Sequence, residues 1–319
     1  MAHGNAAEMG FVALIFALLI EQGRPLPENN WVYRLLTRLA DAVMSATNAG
    51  ERKYGVAGWL LVVGLVLGAV ILAQWLLALL HPLASFCLHV IVLYLTVGFR
   101  QFSHAFTEIQ LALAAGDVAG ARRALERWLR EQDPGFSGGD RSVSELCRLA
   151  IANALVASHR HVFGPLFWYI LLPGAVGPVL YRMAEMVARR WSRTGEVYGE
   201  FAAWAYRVLD WLPLRLSATG FAIVGNFEDA IYAWRGAVAA GTGADPRALL
   251  LAAGGGALGL RIADPELEAR WSTPDAGYEW QGSEPGSDSL RGAVGLVWRS
   301  VVLWVALFAL LTVAAWLGR

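Results

Sequence analysis

The chain has 319 residues and a formal net charge of zero; it is 56% hydrophobic and only 16% charged, with a mean hydropathy of +0.45. An average soluble domain carries about a quarter charged residues, so this composition excludes an ordinary soluble enzyme, and the neutral balance gives no pull toward nucleic acid. Cys87 lies in an apolar run and Cys147 beside Arg148 in a polar region; both read as free thiols, and neither spacing suggests a metal site.

Met9–Ile20 is a short apolar stretch closed by Glu21 and the loop Gly23-Arg24-Pro25-Leu26-Pro27. Extended to about 5–22 it is long enough to cross a bilayer; left short it is an interfacial or bundle-buried helix. No Lys or Arg precedes it, which argues against a cleaved signal peptide. In 28–54 the residues Trp31, Leu35, Leu39, Ala42 and Val43 recur at helical spacing, which predicts a helix lying along the membrane surface.

Gly55–Leu80 carries no charge, and Gln74 is its one strongly polar side chain. Leu83–Phe99 is a second uncharged run across the turn His81-Pro82, so 55–80 and 83–99 predict a helical hairpin through the membrane. His89, inside the second arm, should face the bundle interior, as a hydrogen-bonded packing residue before a functional one.

Residues 100–160 form the main soluble insertion. Phe102, Phe106, Ile109 and Leu113 mark one helix face; Gly116-Asp117 breaks it, with Asp117 placed to cap the next helix, Val118–Glu131. Ser142 and Glu145 fit a capping box for a third helix. That helix runs into His161–Met183, an apolar stretch interrupted by Pro165, Pro173 and Pro178 and by Gly164, Gly174 and Gly177. Proline deletes a helical hydrogen bond, and irregular backbone survives at membrane depth only where protein or water satisfies it. The stretch therefore predicts a broken or re-entrant element, with His159, Arg160 and His161 at its entrance and Tyr181 and Arg182 at its exit.

Beyond it, Arg189-Arg190-Trp191-Ser192-Arg193 reads as an interfacial aromatic and basic anchor. Val208–Phe227, interrupted by Asp210, Pro213 and Arg215, reads as a second broken element, and Arg215 needs a partner such as Asp210 or Glu228. Glu228-Asp229 suit a helix start better than a divalent ion. Gly254-Gly255-Gly256 lack a following Gly-Lys-Ser/Thr and suit close helix packing. Ile262–Leu290 reads as a polar loop, and Ser300–Leu317 as a final span.

The reading is all-α: one domain over 1–319, a polytopic integral membrane helical bundle with broken or re-entrant helices and a cytoplasmic amphipathic helical layer. Four Arg and Lys53 in 23–54 and eight Arg in 100–160 put those segments on the cytoplasmic side of a bacterial inner membrane. The ligand-binding candidates are His104, Glu108, His159, Arg160, His161, Tyr181, Arg182, Asp210, Arg215, Glu228 and Asp229. A cationic cluster at 159–161 suits a lipid headgroup, phosphate or carboxylate; the alternative is a helix C-terminal cap. His104 and Glu108 are four apart and can meet. No metal site is expected, and no nucleophile has a partnering base. The expected partners are membrane lipid, an anionic small molecule or corrinoid, and a membrane protein or second copy.

An ordered series of motifs resembles the CobD/CbiB family: Phe99-Arg100 with His104, Gly116 to Leu125, Pro165-Leu166-Phe167-Trp168, Tyr181-Arg182, Asp210 to Leu216, Gly225 to Ala230 with Trp234-Arg235, and Gly256 to Arg261. The resemblance covers roughly 9–262. It implies a membrane-bound adenosylcobinamide-phosphate synthase, which uses ATP and magnesium to join an aminopropanol-type amine to a corrinoid carboxylate. At the family's acidic positions this chain has Val156-Ala157, Arg160-His161, Glu185 to Ala188 and Tyr206-Arg207, and the family's Ser-Pro-Asn signature is absent near Asp245-Pro246. In that respect the chain is more similar to the AmpE branch, which implies a catalytically degenerate sensor or ligand-binding protein with no cofactor; Mg-ATP is expected only for the synthase alternative.

Overall fold

The computed structural model describes residues 2–24, 30–132, 135–136, 139–172, 174–193, 197–241, 245–263 and 282–318. Among them there is no β-strand. The helices, in chain order, are α1 (Ala2–Gly23), α2 (Trp31–Thr47), α3 (Arg52–Leu80), α4 (Pro82–Thr96), α5 (Phe99–Ala114), α6 (Val118–Gln132) and α7 (Val143–Ser158). A π-helical turn, His159–Phe163, joins α7 to α8 (Gly164–Leu171). Then come α9 (Val176–Ser192), a 3-10 turn at Val197–Gly199, α10 (Glu200–Val224), α11 (Phe227–Ala239), α12 (Pro246–Leu258) and α13 (Ser289–Leu317). The all-α expectation holds.

The chain forms two compact units. The first comprises 1–100, 161–213 and 307–319, the second 101–160 and 214–306. α3 and α13 are long and apolar enough to cross a membrane, with 17% and 22% of their most apolar windows buried; α4 is a shorter apolar helix.

In the first unit α3 is the frame. Near its start, Gly55 and Gly58 let Tyr198 approach: a Cβ at Gly58 would lie 2.0 Å from the Tyr198 hydroxyl oxygen, which also hydrogen-bonds Thr47 at 2.7 Å. Val62 and Val63 share a buried cluster with Met183, Met186, Val187 and Trp191 of α9. Toward the other end the Gln74 Oε1 accepts the Ala175 N–H at 3.1 Å. Gly174, just before it, has φ +74°, and a Cβ there would also meet the Gln74 amide at 2.3 Å. α8 and α9 form an antiparallel pair, as two close approaches show: a Cβ at Gly164 would strike the Tyr181 ring at 2.3 Å, and one at Gly177 the Trp168 carbonyl oxygen at 2.0 Å.

The prolines take positions a helix tolerates. Pro165 lies in the first turn of α8 and Pro178 in that of α9, where N–H groups have no intrahelical partner. The expected break falls at Leu172–Ala175, and Pro173 lies outside the described residues. Pro165 cannot serve the carbonyl four residues back, at His161, and the Gly98 N–H takes that oxygen at 3.0 Å.

In the second unit α11 and α12 pack closely because Gly256 has no side chain. A Cβ there would lie 2.5 Å from the Ala230 Cα and the Asp229 carbonyl oxygen. Gly254 admits Leu155 of α7 in the same way, and the Asn226 N–H donates to the Ala257 carbonyl at 2.9 Å. Side-chain caps start the helices as expected: Asp117 accepts the Gly120 N–H at 2.7 Å and Ser142 the Glu145 N–H at 3.2 Å. Of the loop expected over 262–290, 264–281 lie outside the described residues; Leu260 and Ser283 make an isolated parallel bridge.

Four expectations are corrected. The segment 208–227 is not broken at Asp210, Pro213 or Arg215: α10 runs through all three to Val224, and the helix stops only at Gly225-Asn226, before α11. The carbonyl Pro213 leaves open, on Leu209, accepts the Trp168 indole N–H at 3.3 Å. Trp191 is no interfacial anchor; it is fully buried and packs its ring at a tilt against Tyr198, with centroids 4.8 Å apart, because Met183, Val187 and Trp191 fall on one face of α9. Cys147 is fully buried in α7. The last helix starts at Ser289, eleven positions ahead of Ser300, with Arg291 and Arg299 exposed on it.

Candidate functional site

Four predicted site residues, His161, Tyr181, Arg182 and Asp210, belong to the first unit. Tyr181 is fully buried and donates its O–H to the Asp210 Oδ1 at 2.8 Å. With that proton committed, the 3.2 Å contact between the Tyr181 and Tyr206 hydroxyls requires Tyr206 to donate. The chain of donors thus runs from half-buried Tyr206 through Tyr181 to the buried Asp210 carboxylate. Tyr206 and Asp210 are one turn apart on α10, and Gly164 makes room for the Tyr181 ring.

Arg182 binds Glu185 at 3.2 Å, and Arg189 binds the other carboxylate oxygen at 3.1 Å. The spacing 182, 185, 189 places all three on one face of α9, and the Glu185 side chain is 3% exposed. Sequence reading missed this triplet, since Glu185 was weighed only as a position where the family's pattern is lost; the three- and four-residue spacing of the charges was the available signal.

His89, the buried histidine of α4, faces Tyr169 of α8 with its Nδ1 3.1 Å from the hydroxyl. The Tyr169 O–H donates to the Gly10 carbonyl, also at 3.1 Å, so His89 carries its proton on Nδ1. This is the hydrogen-bonded packing histidine expected. Near the end of α9 the Arg190 guanidinium donates to both carboxylate oxygens of Asp41.

The other seven predicted residues belong to the second unit. His159 and Ser217, both buried, meet at 2.9 Å between Nδ1 and Oγ. Arg160 is half-buried on the π-helical turn. Arg247, at the start of α12 and not among the sequence candidates, feels its charge: surrounding protein lowers the Arg247 pKa first, Arg160 lowers it further, and Asp245 opposes them. The side chain keeps an exposed flank, so solvent screens these effects. Arg215 is half-buried on α10, five positions past Asp210. His104 is exposed and does not pair with Glu108, which reaches Arg127 of α6 at 3.2 Å instead; the antiparallel neighbour offers a bidentate partner. Glu228 and Asp229 occupy the first turn of α11, where Asn226 caps the helix and its amide donates to Asp229 at 2.6 Å.

Among the described residues no three His, Cys, Asp or Glu side chains come together as a metal site.

Comparison with known proteins follows the same span. The family model described as CobD/Cbib protein matches residues 11–297. A cobalamin biosynthesis protein CobD of Stutzerimonas stutzeri (strain A1501) is 32% identical over 313 residues, 92% of this chain and 95% of that protein. A cobalamin biosynthesis protein CobD of Chromobacterium violaceum is 34% identical over 253 residues, 77% of each chain. No solved structure matches.

Proposed function

The chain belongs to the CobD/CbiB family, and from that premise we propose that it is a multi-pass inner-membrane protein of cobalamin biosynthesis, acting in the ATP-dependent joining of an amine to a corrinoid carboxylate. The observation that carries this reading is the extent of the similarity: it runs nearly end to end with a protein named for cobalamin biosynthesis, rather than through one motif. The AmpE-like sensor reading rests on the replaced acids and on the Pro165–Trp168 and Asp210–Leu216 runs, and draws no support from these relatives.

The membrane reading rests on α3 and α13, whose apolar surfaces are mostly uncovered, as a bilayer span requires. The α8–α9 pair is the re-entrant element in this reading. Its irregular backbone is satisfied by protein: the Gly98 N–H serves the His161 carbonyl, and Gln74 serves the Ala175 N–H. The arginine content of 23–54 and of 100–160 supports a cytoplasmic side for each of those segments.

Complementation tests the function. Expressed in a strain that lacks its own amide-forming synthase and depends on that step for cobalamin, the chain should restore growth. No growth from well-expressed, membrane-inserted protein overturns the proposal.

A further inference from the structure

In the second unit two contacts fix the register of α7 against α12. Leu155 lies where a Cβ at Gly254 would fall, 2.5 Å from it, and the Arg148 guanidinium donates to the Ala263 carbonyl at 3.0 Å. The partner numbers fall as those of α7 rise, so the chain segments run antiparallel. Five positions on from Leu155 is Arg160, and seven back from Gly254 is Arg247. At 1.5 Å per residue these steps are about 8 Å and 11 Å, so both arginines come to the same end of the pair.

Both side chains spring from fixed backbone. His159, the neighbour of Arg160, is buried and held 2.9 Å from the Ser217 hydroxyl of α10. Arg160 itself lies on the π-helical turn, a distortion frequent at functional sites. The Arg247 N–H donates to the Asp245 carboxylate at 2.9 Å, which caps α12. The Arg247 guanidinium, by contrast, takes no carboxylate or carbonyl oxygen among the described residues. The positive charge of Arg160 acts on it, and Asp245 offsets that only in part through space. Like charges brought together in a partly desolvated corner raise the energy of the folded chain unless an anion lies between them.

We infer that Arg160 and Arg247 form a two-armed clamp that receives an anionic oxygen group of the substrate, a phosphate or a carboxylate. Arg247 is exposed and Arg160 half-buried, so a ligand reaches the pair from solvent. A planar guanidinium matches either group bidentately. The inference rests on the proposed function and deepens it, by naming the residues that hold an anionic part of the substrate.

Thermal unfolding of the purified full chain tests it. Inorganic phosphate should raise the unfolding temperature more than chloride at matched ionic strength. That increment should fall by half or more in Arg160→Gln and in Arg247→Gln, and survive in Arg160→Lys and Arg247→Lys. It should match the parent in Arg291→Gln, an exposed arginine near the far end of α12, where Gly292 lies beside Leu258. Asp245→Asn keeps a capping oxygen and removes the opposing charge, so it should enlarge the increment. Without added anion, Arg247→Gln should unfold at the parent's temperature or above, because a repulsion is gone; an arginine that only packed would lower it. No increment in the parent, or equal increments in Arg247→Gln and Arg291→Gln, overturns the inference. A rise with phosphatidylglycerol and none with phosphate also overturns it, by assigning the pair to lipid headgroups.

Growth of the synthase-deficient strain separates the clamp from the function. If the parent restores growth and the Arg160→Gln, Arg247→Gln double variant restores it equally, the clamp alone falls. If the parent restores none while its phosphate increment needs both arginines, the proposed function falls and the clamp stands as an anion site.

Discussion

The Trp168 indole N–H points at the Leu209 carbonyl oxygen, 3.3 Å away, and Leu209 stands four residues before Pro213. The donor from α8 thus supplies the hydrogen bond that the proline ring removes from α10. The same substitution of partners occurs at Pro165, where Gly98 serves the His161 carbonyl. Pro165 and Pro213 thus shape helices without leaving the carbonyl four residues back bare.

Trp168→Phe should therefore destabilise the protein by about 1 kcal/mol, the cost of leaving a half-buried acceptor without its donor. In a Pro213→Ala background the loss should shrink, because an alanine N–H at that position can donate to the Leu209 carbonyl itself. A double-mutant cycle read by chemical unfolding checks the coupling; additive losses would contradict it.

The glycines of α3 are not equivalent. A Cβ at Gly58 collides with Tyr198, whereas Gly64 has nothing within 4 Å. Gly58→Ala should lower folded yield and thermal stability, by at least about 1–3 kcal/mol. Gly64→Ala should match the parent or improve on it, as a helix interior prefers alanine. Thermal unfolding in detergent distinguishes the two.

A parallel contrast holds in the second unit. Gly256→Ala should separate α11 from α12, because its methyl group would meet backbone at 2.5 Å. Gly292→Ala, whose Cβ finds Leu258 at an ordinary 3.7 Å, should be tolerated. Limited proteolysis should cut the Gly256→Ala protein faster and leave the other unchanged.

Burial pushes the Cys147 thiol up to about 11 from an ordinary 9.0. The folded chain then keeps a proton that the unfolded chain releases above pH 9, so stability falls as pH rises from 9 toward 11. The loss has a ceiling of about 3 kcal/mol at 1.4 kcal/mol per unit. Cys147→Ala should flatten this alkaline slope of the unfolding temperature, and an unchanged slope would contradict the assignment.

Much of the architecture was legible because its signals are local. The uncharged run of α3, the caps at Ser142 and Asp117 and the glycine turn at Gly174 each act within a few residues. What was not legible depends on partners far along the chain. Pro213 reads as a break until Trp168 supplies the missing donor. Arg189-Arg190-Trp191 reads as a membrane anchor until Met183 and Val187 align Trp191 with Tyr198 and the core. Glu108 reads as a partner for His104 until α6 brings Arg127 alongside. Of the candidate residues, Tyr181 and Asp210 meet directly, whereas the Arg182–Glu185–Arg189 triplet needed the charge spacing along α9 to be weighed.

The course of α9 beside α3 is the claim on which the rest depends, and thiol accessibility from each side of the membrane tests it most directly. In a Cys87→Ser, Cys147→Ser background, Glu51→Cys, His81→Cys and Arg193→Cys would be probed with an impermeant maleimide in intact cells and in inverted vesicles. The predicted result is that Glu51 and Arg193 positions label from one side and the His81 position from the other. Labelling of the Glu51 and Arg193 positions from opposite sides would contradict the account.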